Sequence, residues 1–256
     1  MKRATYLLVI VAFMGMFFAC NKKDTTPPKI FLLGGDSETH EIKLPVESTY
    51  TDPGVTVNDN VDGTSLLNKV TVSHDIKGSF EEATTIDEMI GAVTSTGDYT
   101  VTYSVTDEAG NTGTATRNVT VYNEADIYAI DYVASKTSTN NLTPDYTDEP
   151  ATIDYDTKKN KRIYFPKLSN VSGLKIYGDV YDTIINGSKM KYINIPYQEK
   201  EVSNYFYVVQ GSYGAVIDTF WYTLRIVYQI DKRVNNNGTP GSLVKKDNVT
   251  ETYVRL

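Results

Sequence analysis

The sequence predicts an all-β protein, and three of its features support that fold class. Valine, threonine and tyrosine recur in short runs that alternate apolar and polar side chains, which is the period of a half-buried strand. Glycine, asparagine, aspartate and proline separate these runs, as expected for tight turns. No segment of useful length has the apolar period of an amphipathic helix. We therefore expect two antiparallel β domains, at residues 29–123 and 124–256.

The first 19 residues have the parts of an export signal. Lys2 and Arg3 are cationic, and residues 6–18 form an uncharged apolar stretch. A helix needs about 20 apolar residues to span a bilayer, so this stretch is too short to do so. Ala19 then precedes Cys20, the only cysteine in the chain. This end of the stretch resembles the lipobox of bacterial lipoproteins, which implies cleavage before Cys20 and a thioether-linked diacylglycerol on its thiol.

Residues 20–28 predict a flexible tether that holds the first domain off a membrane, because they are polar, end in two prolines and have no periodicity. The expected location is the outer membrane, lipid-anchored and exposed at the cell surface. Similar lipoproteins often carry an acidic cluster here, whereas this chain has Lys22 and Lys23 beside Asp24. The chain could therefore lie on either face of the outer membrane. The alternative to lipidation is a buried cysteine at the end of an ordinary signal peptide or of an N-terminal membrane helix.

Charge and tyrosine content divide the remaining chain near Asn123. Residues 27–123 hold 15 acidic and 5 basic residues, whereas residues 124–256 hold 16 of each. The later region also contains 15 of the 20 tyrosines. Without residues 1–19 the chain has 23 basic and 32 acidic residues, a net charge of −9. A nucleic-acid partner is not expected, because such proteins need a basic surface.

The first domain contains the clearest strand pair. From Tyr99 to Thr106, tyrosine and valine alternate with threonine and serine, and a second alternating run extends from Thr112 to Tyr122. Gly110 and Asn111 close the hairpin between them, because both residue types tolerate positive φ.

Four spaced motifs of this domain resemble the bacterial surface immunoglobulin-like domain, which is related to the hyalin-repeat family. They are Thr49–Val55, Asn58–Gly63, Gly97–Tyr103 and Thr106–Asn111. The resemblance covers residues 27–122 and implies a seven-stranded β-sandwich that acts as a spacer. The segment Ser79–Val93 departs from the family pattern, and its acidic residues predict a short helix or loop.

The loops of this domain also supply candidate metal ligands. Asp59, Asp62 and Asp107 could lie at the same end of the sandwich, where their carboxylates would suit a structural Ca²⁺ ion. The alternative is that Asp-Asn and Asp-Gly pairs serve only turn geometry.

The second domain predicts further antiparallel strands, closed as a barrel or a sandwich. Asn186-Gly187 is a hairpin signal. In the run from Trp221 to Ile230, the even-numbered residues are expected to face the core and the odd-numbered ones to be partly solvated. The domain resembles the C-terminal β domain of unsettled function that often follows the immunoglobulin-like module in such lipoproteins.

An enzyme is not expected, because residues 124–256 contain no histidine or cysteine for nucleophilic or metal chemistry. Aromatic side chains instead suggest a polysaccharide ligand, since Tyr and Trp offer an apolar ring with a polar atom. The candidate residues are Trp221, Tyr213, Tyr205 and Tyr207. The same residues could simply fill a β-rich core, and the alternative function is a structural or adhesive protein that contacts other envelope proteins.

Overall fold

The computed structural model describes residues 23–80, 82–185, 187–212, 216–217 and 223–256. Their regular structure is β-strand with a few short 3₁₀ turns, so the predicted all-β class is confirmed. Among these residues, no helix has both the length and the apolar character that crossing a membrane requires.

Eight strands form the first half of the described chain. In order they are β1 (Lys29–Leu32), β2 (Ile42–Pro45), β3 (Thr49–Thr51), β4 (Val55–Asn58), β5 (Thr71–His74), β6 (Ile90–Ala92), β7 (Gly97–Thr106) and β8 (Thr112–Tyr122).

These strands form a four-stranded sheet and two strand pairs. The sheet has the order β2-β8-β7-β5, in which β2 runs parallel to β8, and the pairs are β1-β4 and β3-β6. The predicted β7-β8 hairpin is present, and Gly110 in its turn has φ of +92°. The segment expected as a short helix or loop has a 3₁₀ turn at Ile86–Glu88 but also contributes β6, because its backbone pairs with β3.

The core of this half contains one buried charged pair. Val101, Tyr103 and Val105 of β7 point inward, as their alternation predicts. The fully buried Arg117 lies 3.6 Å from Asp52, which also accepts hydrogen bonds from the hydroxyls of Tyr50 and Tyr103. Each of these buried polar groups therefore has a partner, as burial requires.

Eleven strands follow in the second half of the described chain. They are β9 (Asp131–Ser138), β10 (Tyr146–Thr152), β11 (Asp154–Tyr155), β12 (Arg162–Phe165), β13 (Ile176–Ile185), β14 (Ser188–Asn194), β15 (Gln198–Val202), β16 (Tyr205–Gly211), β17 (Val216–Ile217), β18 (Thr223–Asn236) and β19 (Thr239–Arg255).

The eleven strands form one antiparallel sheet with the path β10-β9-β19-β18-β17-β14-β13-β12-β11, and β16 joins β15 to β18. Within the described residues this path is open at β10 and β11, so the barrel alternative is not observed. Leu224, Ile226, Tyr228 and Ile230 are buried, which confirms the predicted core face of β18 for these residues.

Buried apolar side chains form two clusters, one between Leu44 and Val121 and the other between Ala125 and Tyr253. Polar contacts connect the two halves. The ammonium group of Lys159 lies 2.8 Å from the carboxylate of Glu47, and the backbone N–H of Thr96 donates to the carbonyl of Thr157.

Candidate binding face

Four tyrosines lie on one surface of three neighbouring strands. The strand register pairs Tyr164 of β12 with Tyr177 of β13, and Tyr181 of β13 with Tyr192 of β14. Strand side chains alternate between the two faces, and the immediate strand neighbours of these tyrosines are in the core: Ile163, Phe165, Ile176, Val180 and Ile193. All four rings therefore point away from the core. We call Tyr164, Tyr177, Tyr181 and Tyr192 the tyrosine face.

The rings of this face are accessible and partly held by cations. Tyr181 is 49% exposed, and the other three are half-buried. The Tyr164 and Tyr177 rings meet edge to face, with centroids 6.3 Å apart. The guanidinium of Arg162 lies 3.8 Å from the Tyr177 centroid, and the ammonium of Lys175 lies 4.2 Å from the Tyr164 centroid. These contacts restrain two rings before any ligand arrives.

Polar groups lie beside the rings. Arg162 donates two hydrogen bonds to Asp179, with N···O distances of 2.7 and 3.1 Å. Tyr164 donates its hydroxyl proton to Asp156, and burial together with this bond raises the pKa of Tyr164 to about 12. The Tyr164 hydroxyl is therefore protonated at neutral pH. A groove of about 610 Å³ adjoins Tyr164 and is also lined by Lys175 and Lys200.

Two of the residues predicted to bind ligand, Tyr205 and Tyr207, lie outside this face. Tyr205 is 36% exposed at the start of β16, and the ammonium of Lys232 lies 3.8 Å from its ring centroid. Tyr207 shares that strand face, as predicted, but is only 7% exposed and packs in the core, so its ring offers little surface to a sugar. Trp221, Tyr213 and Cys20 lie outside the described residues, and their roles stay predictions.

Sequence reasoning missed the tyrosine face, although its signal was available. Tyr177 and Tyr181 are four residues apart, a spacing that places both on one side of a strand. The register of β13 and β14 then brings Tyr192 opposite Tyr181.

A second groove, of about 440 Å³, lies near the end of β19. Its wall includes Tyr146, Phe165 and Tyr253, and Glu149 is its one carboxylate among the described residues. The fully buried Glu251 accepts hydrogen bonds from the hydroxyl of Tyr253, the hydroxyl of Tyr228 and the backbone N–H of Ser169. These donors hold Glu251 inside the fold.

The predicted metal ligands are only partly brought together. Oxygens of Asp59 and Asp107 approach within 4.8 Å of each other and of an oxygen of Asp24, which belongs to the predicted tether. Asp62 is outside this cluster and accepts a hydrogen bond from the backbone N–H of Glu108. Asp59 also caps its own turn, because its Oδ1 accepts from the N–H groups of Val61 and Asp62. Turn chemistry is therefore present beside the acidic cluster.

Comparison with known proteins gives one match to a family model. Residues 92–121 match the family described as bacterial surface protein, Ig-like domain. No curated protein matches the chain.

Similar solved structures span most or about half of the chain at low identity. A lipoprotein from Bacteroides thetaiotaomicron is 11% identical, with coverage of 88% of this chain and 99% of that one and a TM-score of 0.29. The CBM51-2 and INT domains of Clostridium perfringens ZmpB, solved in complex with GlcNAc, are 14% identical, with coverage of 89% and 44% and a TM-score of 0.26. A multidomain Bacteroides ovatus protein that includes DUF1735 is 16% identical, with coverage of 54% and 60% and a TM-score of 0.22. Scores this low carry no functional argument.

The matched segment runs from the end of β6 through β7 to nearly the end of β8, and so contains the hairpin whose motifs carry the predicted resemblance. The match confirms that resemblance: this part of the chain is similar to the Ig-like domain of bacterial surface proteins.

Proposed function

We propose that this protein is a lipid-anchored bacterial surface protein that binds glycan through the tyrosine face, with the immunoglobulin-like domain as a spacer. The observation that carries the proposal is the outward direction of four tyrosines on β12, β13 and β14.

The chemistry of the face suits a sugar chain. Aromatic rings pack against the apolar C–H surfaces of sugar rings, while the phenol hydroxyls exchange hydrogen bonds with sugar hydroxyls. Arg162, Asp179 and Asn194 lie on the same side of the sheet and supply further donors and acceptors. Arg162 and Asp179 neutralise each other, which favours an uncharged oligosaccharide over a strongly anionic one.

The alternative function, contact with another envelope protein through an open sheet edge, has less support. The edge strand β10 carries a register shift between Tyr146 and Glu149 and contains Pro150, which lacks the N–H needed to extend a sheet. A second edge strand, β11, has only two residues. The strand β15 pairs only with β16 and so forms a third edge, which carries the exposed charges of Glu199, Lys200 and Glu201. Each of these features opposes the addition of a further strand.

Membrane attachment is part of the proposal and comes from the first residues. The apolar stretch before Cys20 and the polar tether after it support lipidation at that thiol. Two or more acyl chains hold a protein stably in a bilayer.

A glycan array on the full chain, followed by isothermal titration with the best ligand, tests the glycan proposal. The double variant Tyr177→Ala/Tyr181→Ala is expected to weaken binding by roughly 5- to 150-fold, because two lost stacking contacts of about 0.5–1.5 kcal/mol each sum to about 1–3 kcal/mol. Tyr197→Ala is the matched control, since Tyr197 is 57% exposed in the same half of the chain but outside the face.

Circular dichroism of all variants checks that the fold is retained. The proposal fails if no host or plant polysaccharide gives a signal. It also fails if the double variant binds as tightly as the control.

A further inference from the structure

We propose that Asp24, Asp59 and Asp107 bind a calcium ion that fastens the tether to the first domain. The three side chains come from separate parts of the sequence: the tether, the turn after β4 and the turn between β7 and β8. One carboxylate oxygen from each lies within 4.8 Å of the other two. Asp59 and Asp107 are only 7% and 6% exposed.

Two buried carboxylate oxygens in this cluster have no hydrogen-bond partner. They are Oδ2 of Asp59 and Oδ2 of Asp24. Oδ1 of Asp59 is already held by two backbone N–H groups, and Oδ1 of Asp24 by the side chain of Asn60 at 3.2 Å. The donors therefore orient the carboxylates of Asp59 and Asp24 while leaving one oxygen of each available to a cation, whereas both oxygens of Asp107 also accept hydrogen bonds from Asn111. Buried polar atoms are normally satisfied, and a bound cation would satisfy both of the unpartnered oxygens.

The cluster carries three negative charges with no cationic partner in the described part of the chain. Among the described residues, no ion pair involves Asp24, Asp59 or Asp107. The basic residue Lys69 is paired instead with Glu108, at 3.8 Å. Residues 27–123 as a whole carry a net charge of −10, which adds to the attraction for a cation.

The donor atoms favour calcium over other metals. All three are carboxylate oxygens, and Ca²⁺ prefers six to eight oxygen ligands in flexible arrangements. Zinc and copper prefer imidazole or thiolate ligands, and the cluster contains neither. Magnesium requires a near-octahedral shell and usually retains several waters.

Ion binding would connect the predicted lipid anchor to the folded domain. Asp24 lies four residues after Cys20, and its backbone carbonyl accepts a hydrogen bond from Asn111 at 3.3 Å. The carbonyl of Pro28 lies so close to Gly113 that a Cβ atom there would approach it to 1.9 Å. The tether from Asp24 to Pro28 thus runs against the end of the domain, and a calcium ion would fix it there.

Thermal unfolding of the metal-stripped full chain tests the proposal. Calcium at about a hundredfold excess over its Kd is expected to raise the first melting transition by about 10 °C, with one ion bound per chain by titration calorimetry. Equal concentrations of Mg²⁺ are expected to produce a smaller shift. The measurement does not depend on glycan binding, because Tyr177→Ala/Tyr181→Ala should respond to calcium like the unmodified chain.

Asp24→Asn and Asp59→Asn are expected to abolish most of the calcium response. Asp24 lies outside every strand, so its substitution leaves the domain folded even if Asp59→Asn does not. Asp87→Asn removes the same charge from an exposed position away from the cluster and should keep the full response. Absence of a calcium-dependent shift, an unchanged response in Asp24→Asn, or a response to Mg²⁺ alone would overturn the assignment.

Discussion

Two buried carboxylates on β19 differ in the environment that each meets. Burial acts to raise the pKa of Asp247, but N–H groups of Leu142 and Asn140 and the Thr139 hydroxyl outweigh it and lower that pKa. Burial also acts on Glu251, and there it prevails over the hydrogen bonds from tyrosine hydroxyls and raises the pKa. At the residue scale, the balance between desolvation and hydrogen bonding decides the direction.

These directions predict opposite effects of pH on stability. Because the pKa of Glu251 is raised in the folded state, its contribution to the free energy of unfolding is present below about pH 4.3. That contribution is lost as the pH rises through the pKa of Glu251 in the folded state. The Glu251→Gln variant has no carboxyl group here and so does not lose this stability as the pH rises. The difference in free energy of unfolding, variant minus unmodified chain, is therefore expected to increase between pH 4 and 8 in urea titrations.

Asp247→Asn is the control for the pH experiment. Because the pKa of Asp247 is lowered, its contribution is present above about pH 3.9 and is lost only as pH falls through the folded value. The relative stability of Asp247→Asn should therefore stay constant between pH 5 and 8. A similarly constant value for Glu251→Gln would contradict the raised pKa.

At the scale of elements, the β18-β19 hairpin organises the second half of the chain. The two strands pair from Thr223–Val254 to Asn236–Thr239, and β18 also pairs with β16 and β17. The connecting turn has positive φ at Asn237 (49°) and Gly238 (83°). Such values favour asparagine and glycine, which occupy these positions here.

Gly238→Ala is expected to destabilise the second half of the chain by about 1–2 kcal/mol, because an L side chain is strained at positive φ. A Cβ atom at this position would meet no neighbour, so the cost is conformational and not steric. Chemical denaturation measures the effect. Ser242→Ala, an exposed position in the same hairpin, should change stability by less than about 0.5 kcal/mol. Equal effects of the two substitutions would contradict the argument.

At the scale of the whole molecule, the proposed anchor determines where the protein acts. Cys20→Ser is expected to transfer the protein from the detergent phase to the aqueous phase in phase partitioning, since each lost acyl CH₂ removes about 0.8 kcal/mol of membrane affinity. Asn21→Ser keeps the thiol and should partition like the unmodified chain. Retention of Cys20→Ser in the detergent phase would exclude lipidation as the means of attachment.

Local sequence patterns sufficed for elements whose partners are close in the chain. Alternation and turn residues predicted the β7-β8 hairpin and the buried face of β18, because side-chain direction in a strand follows from its period of two. Local alternation did not predict the strands β10 and β15. They are largely polar and exposed, and they are ordered by pairing with distant strands and not by an apolar pattern of their own.

The sequence by itself determined the all-β class, the β7-β8 and β13-β14 hairpins and the resemblance to a surface Ig-like domain, since these depend on local periodicity and motif spacing. Only the tertiary structure decided which tyrosines share an outer face, that Tyr207 is buried, and that Asp24 replaces Asp62 beside Asp59 and Asp107. The physical reason is that strand register and loop convergence bring together residues far apart in the chain, and no local pattern encodes those distances.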